Sequence, residues 1–294
     1  MTYRDVIRLA NLPEDEREEF EKFLFGRTCP VLEGEGLCAW PSDYSEFQAQ
    51  YVPPRAADEA RTVMIVGDVH ASWGMLNKLI NRQRPDIILQ CGDFGFWPKN
   101  RRHNPTQNLK IGSTQLHWCD GNHEDHEALE QVQASGRLEI MPTCFYQPRG
   151  SMLELPDGRV VLFAGGGLSV DNGMRKPGHD WFPDHELLTE KDLAKFPDPA
   201  QVKIDIVISH TAPLEFDVEG IPYSQWPSWW DRTPDPSRRT LSEVLRRYKP
   251  SRWFFGHFHT YQKGKVDGCE WTTLSCVGSI YRWWEYLDDL HSDN

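Results

Sequence analysis

Several familiar signals are missing from this 294-residue chain, and each absence narrows what it can be. No apolar run approaches the roughly 18 residues of a membrane-spanning helix, so no span is expected. The opening stretch MTYRDVIRLANLPEDEREEF has no long apolar centre, so a secretory signal is not expected there. The seven cysteines are odd in number and form no CxxC pair, which argues against a disulfide framework. Cys91 and Cys119 lie in apolar runs and read as small buried hydrophobes. The expected setting is reducing and cytoplasmic. Positive charge is also scarce: 32 Lys and Arg stand against 44 Asp and Glu, a net charge of −12. That speaks against a footprint on extended duplex nucleic acid and against a membrane surface as partner. It leaves room for an anionic substrate held by a local patch or by bound cations. Internal repeats and low-complexity tracts are absent.

What is present is an ordinary globular composition, 39% hydrophobic and 26% charged, in a chain long enough to bury a core without disulfides. The first sixty residues differ from the rest. LPEDEREEFEKFLFG predicts a helix, with Pro13 in its first turn and Gly26 as a stop. A Pro- and Gly-rich irregular stretch follows, and VPPRAADEA reads as a joint. Residues 1–60 are therefore expected to be an extension packing on the main domain or on a partner, and 61–294 the main domain. From Arg61 onward, short apolar runs alternate with helical spacing. The strand candidates cover 62–66, 86–91, 114–119, 159–165, 205–210 and 252–257, and WGMLNKLINRQ, EDHEALEQVQA and LSEVLRRY predict helices. Continuous apolar strands between helices are strands buried on both faces, so the class is α/β. YQKGKVDGCEWTTLSCVGSI alternates in period two around VDG and predicts a hairpin.

Ligands of open α/β sheets sit beyond the carboxyl ends of the strands. Five of the six strand candidates end there in Asp, Asn or His, most with an adjacent Gly: Gly67-Asp68-Val69-His70, Gly92-Asp93, Gly121-Asn122-His123, Ser209-His210 and Gly256-His257-Phe258-His259. Singly, an Asp in that position more commonly caps a helix or fills a turn. Together, on what is expected to be one rim of one sheet, two Asp, one Asn and several His form a mixed oxygen and imidazole donor set for two divalent ions. The glycines would let chain and ligand approach closely.

The ordered series GDVH, GDF, GNHE, SH, GHFH resembles the calcineurin-like metallophosphoesterases, over about residues 61–282. The resemblance implies a four-layer α/β/β/α sandwich around two mixed sheets, with a two-metal site on the loop rim. It implies that Asp68, His70 and His259 bind one metal, that Asn122, His210 and His257 bind the other, and that Asp93 bridges them. His123 would face the leaving group as acid or transition-state stabiliser. Hydrolysis of a phosphoester by a metal-activated hydroxide follows from such a centre. Manganese is the first expectation for the metals; iron, zinc or mixed pairs suit the same ligands. Glu124 and Asp125 either orient His123 or carry first-turn helix charge.

The chain departs from the phosphoprotein branch of that family. Its second motif, CGDFGFWPKNRRH, lacks the Asp-Arg-Gly whose Arg holds phosphate, and Ala71 stands where that branch has Gly. Phosphate still calls for a cation. The candidates are Arg175 first, then Arg149, with Arg101 and Arg102 after the second motif; the alternative for Arg149 and Arg175 is plain surface solvation. Gly165-Gly166-Gly167 is no Walker loop, because no Lys-Ser/Thr follows. Trp97, Trp181, Trp226, Trp229 and Trp230, with His179 and His185, could stack on a base or pack loops over the sheet edge. The expected activity is a phosphodiesterase acting on a nucleotide-sized substrate. The alternatives are a phosphomonoesterase, protein phosphatases included, a nuclease, or a scaffold without activity.

Overall fold

A computed structural model describes residues 62–219, 228 and 231–288, with positions 7–8, 16, 18–20 and 38–39 before them. Most of the extension expected over 1–60 and Trp226, Trp229 and Trp230 lie outside the described residues. Of that extension, residues 16 and 18–20 are helical. Phe20 is buried, and Glu19 lies 3.3 Å from Lys78 and 3.0 Å from Arg82.

The apolar runs become strands of two six-stranded mixed sheets. The first sheet holds β1 (Val63–Val66), β2 (Ile87–Gln90), β3 (Gln115–Trp118), the hairpin β4 (Glu139–Met141) and β5 (Cys144–Tyr146), and β12 (Trp284–Tyr286), in the order β12-β1-β2-β3-β5-β4. The second holds β6 (Met152–Glu154), β7 (Val160–Ala164), β8 (Ile206–Ser209), β9 (Arg252–Phe255), β10 (Gln262–Val266) and β11 (Cys269–Thr273), in the order β10-β11-β9-β8-β7-β6. The central strands of each sheet are parallel and the edges antiparallel. Here the sequence reading needs a correction. The six strand candidates do not share one sheet: β1, β2 and β3 belong to the first, and β7, β8 and β9 to the second.

The two-residue period explains the layers. Ile65 and Leu89 face Val161, Phe163, Ile206, Ile208 and Phe254 in a layer between the sheets. Met64, Val66 and Ile88 point the other way, onto the helices α1 (Trp73–Gln83) and α3 (His126–Ser135). Trp253 and Phe255 do the same on the far side, with α4 (Glu190–Leu193) and α5 (Pro236–Tyr248). The short helix α2 (Pro105–Asn108) follows β2 and starts on the Asn104 side chain, which accepts from Thr106 N at 2.9 Å. The result is the expected four-layer sandwich. The VDG hairpin turns through Asp267 and Gly268, both at positive φ (49° and 87°), the geometry of a two-residue hairpin turn. No helix among the described residues is long and apolar enough to cross a membrane.

Parallel register carries the strand ends to a common edge. Val66 pairs with Gln90, Gln90 with Trp118, and on the second sheet Ser209 with Ala164. The loops leaving these ends therefore meet, and the site lies where the rims of the two sheets face each other.

Candidate metal centre

Left-handed backbone aims the side chains inward. His70 (φ 46°), Asp93 (φ 50°), His257 (φ 67°) and His259 (φ 48°) all sit in the region that L residues seldom occupy, as does Ala71 (φ 57°). Residues held there cost of order 1–3 kcal/mol each and persist when their surroundings dictate it. The surroundings are close backbone. A Cβ on Gly256 would lie 1.9 Å from Asp68 Oδ1, and one on Gly121 would lie 2.1 Å from Asp93 Oδ1. Gly256→Ala should accordingly displace Asp68 and weaken metal retention by about tenfold or more, the range seen when metal-site supports are removed. Elemental analysis after gel filtration measures it; full retention would contradict the close approach.

The two carboxylates are buried, at 0% and 1% exposure, and among the described residues their ion-pair partners are all histidines. Asp68 Oδ2 lies 3.1 Å from His259 Nε2 and 3.9 Å from His70 Nε2. Asp93 stands between His70 (Oδ2 to Nε2 3.6 Å) and His210 (Oδ1 to Nε2 3.4 Å). His70 and His259 bring their Nε2 atoms to 3.2 Å. Two groups of donors lie within reach of one ion each: Asp68, His70 and His259, and Asp68, Asp93 and His210. Asp68 is common to both groups, and Asp93 belongs to the second.

The surroundings of His210 test whether these residues suit a metal. Its Nδ1 lies 2.9 Å from the Cys91 carbonyl, an acceptor only, so the ring proton belongs there. Its Nε2 then presents a lone pair 2.9 Å from Asn122 Oδ1, 3.4 Å from Asp93 Oδ1 and 3.1 Å from His257 Nδ1. With the ring proton on Nδ1, His210 Nε2, Asn122 Oδ1, Asp93 Oδ1 and His257 Nδ1 form a buried oxygen and imidazole donor set whose chemistry fits a divalent cation. The Asn122 amide is turned for this: its Nδ2 donates to Ser169 Oγ at 3.2 Å, leaving the oxygen to face His210. Ser169 in turn donates to Glu186 Oε2 at 2.6 Å. Burial drives the His257 pKa down to about 3, whereas, against burial, the bond to Asp68 lifts His259 to about 11.

His123 stands apart from both donor groups. Its backbone N–H donates to Asp93 Oδ1 at 2.8 Å, and its ring Nε2 lies 3.6 Å from Asp171 Oδ2. Burial holds its pKa below the usual value, while Asp93 pulls the other way. It lines a cavity of about 900 Å³ together with His70, Trp97, Asp171, Arg175 and Phe182. Trp97 is tied by its Nε1–H to the His123 carbonyl at 3.0 Å, and its ring centre is 6.1 Å from that of Phe182, so it packs as a wall. His179 is on the same wall, whereas His185 pairs with Glu130 at 2.8 Å beside another cavity.

The two arginines put forward from sequence part company. Arg175 reaches the site, but its side chain is only 8% exposed. It donates to Ser169 Oγ at 2.6 Å, to the Asn122 carbonyl at 3.3 Å and to the Asp180 carbonyl. Arg149 does not reach it. Its guanidinium binds Asp120 (2.7 Å), Asp192 (3.2 Å) and the carbonyls of His185, Glu186 and Leu187, in a second cavity. Both expectations for Glu124 also yield: it neither orients His123 nor charges a helix. Its carboxylate accepts from the N–H groups of Phe94 (2.7 Å), Gly95 (3.1 Å) and Phe96 (2.5 Å), clasping the loop that carries Asp93. Asp125 caps α3, accepting from Ala128 N at 3.0 Å. Asp171 was not singled out from sequence. Its signal was the polar run SVDNGMR behind three glycines, long enough to fold back over the rim.

In sequence alone, no curated protein matches the chain. Among solved structures, it is similar to the phosphopantetheinyl hydrolase of Mycobacterium tuberculosis at 12% identity, covering 80% of this chain and 98% of that one, with a TM-score of 0.46. It is likewise similar to a Thermus thermophilus protein (12% identity, 75% and 91% covered, TM-score 0.43). A third likeness is to an archaeal phosphodiesterase (12% identity, 73% and 83% covered, TM-score 0.37). The family model for calcineurin-like phosphoesterases matches residues 61–261 of the 294. The chain belongs to that family, whose members are hydrolases of phosphoester bonds built around a binuclear divalent metal centre.

Proposed function

We propose that this enzyme hydrolyses a phosphodiester of nucleotide size. The observation that carries the reading is the state of Arg175. A phosphomonoester presents a dianion that an arginine fork grips bidentately, and the Arg175 guanidinium is already engaged by Ser169 and two carbonyls. A diester carries one charge and two substituents, which suits a site with little free cation at its floor and a cavity of about 900 Å³ beside it. Trp97 and Phe182 would wall the space for a base.

In this reading Asp68, His70 and His259 hold one ion, Asn122, His210 and His257 the other, and Asp93 lies between, with manganese the first choice. Such ions supply Lewis acidity to the phosphoryl oxygens and a hydroxide source at neutral pH. His123, when protonated, would give a proton to the leaving oxygen as its bond to phosphorus breaks, while a water would form the new bond to phosphorus and release its own proton to solvent. Asp171 keeps the imidazole turned toward the cavity. The discriminating measurement is turnover of bis-nitrophenyl phosphate against nitrophenyl phosphate by the manganese-loaded enzyme. A diester preference in kcat/KM of about tenfold or more is expected, within the range that pocket complementarity supplies; a monoester preference would reverse the assignment.

A further inference from the structure

We infer that the loop 97–103 is a subsite for a second phosphate, so that the substrate is a phosphodiester bearing at least one further phosphate group. The inference rests on the proposed diesterase activity and adds to it the chemistry of the substrate's far end.

The loop is built, not loose. Asn100 N donates to the Trp97 carbonyl at 2.9 Å and His103 N to the Asn100 carbonyl at 3.0 Å. Asn104 Nδ2 binds the Pro98 carbonyl (2.9 Å), Asn108 Nδ2 the Arg101 carbonyl (2.8 Å), and Trp73 Nε1 the Arg102 carbonyl (3.1 Å). Its side chains are the opposite. Lys99, Arg101, Arg102 and His103 are all exposed, and none has a carboxylate partner among the described residues. Some exposed cations elsewhere, such as Lys195, Lys203, Arg246 and Lys265, face a carboxylate, while others, such as Lys110 and Arg137, face none among the described residues; what sets Lys99 and Arg101 apart is that they line the cavity shared with His70 and His123.

Lys99, Arg101 and His103 line the same cavity as His70 and His123. The carboxylates of that wall are mostly spoken for. Asp125 caps α3, Asp171 faces His123 and Arg175, and Asp180 accepts from Lys176 N. Glu127 remains. A pinned backbone thus carries Lys99 and Arg101, without carboxylate partners among the described residues, onto a cavity that His70 and His123 also line. An anion bound in the cavity would meet these two cations, and Lys and Arg are suited to phosphate oxygens. A group bound there is separate from the phosphorus under attack.

The test compares two substrates that differ by one phosphate. The full-length, manganese-loaded enzyme is given thymidylyl-thymidine, with one diester, and its 5′-phosphorylated form. The wild type should prefer the phosphorylated form in kcat/KM by about tenfold, as expected of a charge-assisted contact. In K99A/R101A that ratio should fall toward unity, and the salt dependence of the preference should flatten by about one unit of slope per charge removed. K99R/R101K should keep the ratio, which separates charge from folding. Diadenosine tetraphosphate, added as a third substrate, reads whether a nucleoside polyphosphate uses the same loop. A wild-type ratio near one, or a ratio the double variant leaves intact, overturns the subsite while diester cleavage stands. Failure to cleave either dinucleotide or bis-nitrophenyl phosphate overturns the diesterase reading and the subsite with it.

Discussion

Asp93→Ala should leave about a thousandth of wild-type turnover or less. Metal centres stabilise transition-state charge by several kcal/mol, and at about 1.4 kcal/mol per factor of ten that is roughly 10³-fold in rate. Asp93 is buried between His70 and His210, so its removal takes away the carboxylate that two ions would both need. The same change deprives the His123 N–H of its acceptor and unfixes the proposed acid. Asp93→Asn separates the parts, since it keeps an acceptor for His123 and removes the charge. Turnover of bis-nitrophenyl phosphate and metal content per chain are the paired readouts. An alanine variant within tenfold of wild type would show that Asp93 does not hold the ions.

The second large effect is on stability. Glu124→Ala should lower unfolding free energy by on the order of 4 kcal/mol, because three buried N–H groups lose their acceptor at once and each loss is worth about 1–3 kcal/mol. For a chain of this size that is a fall in Tm of about 10 °C. Phe94, Gly95 and Phe96 are the groups concerned, and Glu124 itself is fully buried. Glu124→Gln should fall between, because its amide nitrogen would face a donor. The melts belong in chelator, so that metal linkage does not mask the change. A Tm within about 2 °C of wild type would mean the clasp contributes little.

How far the sequence could be read depends on the kind of interaction. Val63–Val66 and Arg252–Phe255 were visible because a strand buried on two faces must be apolar throughout. The assignment of the six runs to two sheets was not, since a parallel partner leaves no mark on either strand. Three-residue strands such as Met152–Glu154 and Trp284–Tyr286 are too short to show a period. Helix α5 was read from Leu241, but it starts at Pro236 behind the cap Asp235, and Asp-Pro was a usable signal. The candidate ligands were visible because each follows a strand. The sequence ranked Arg175 above Arg149 on its glycine-rich loop, but only the folded chain shows Asp120 claiming Arg149. Glu124 was misread for the same reason: its partners lie thirty residues away.

The left-handed residues of the rim have an evolutionary consequence. His70, Ala71, Asp93, His257 and His259 each hold a conformation that glycine would occupy more comfortably. Selection for folding alone would therefore reward their loss. In a library screened only for soluble expression, glycine and asparagine should accumulate at these five positions, and catalytic competence should decay there before the sheets weaken. In the proposed reading the rim is where stability and activity pull apart, and its histidines are expected to persist only while turnover is under selection.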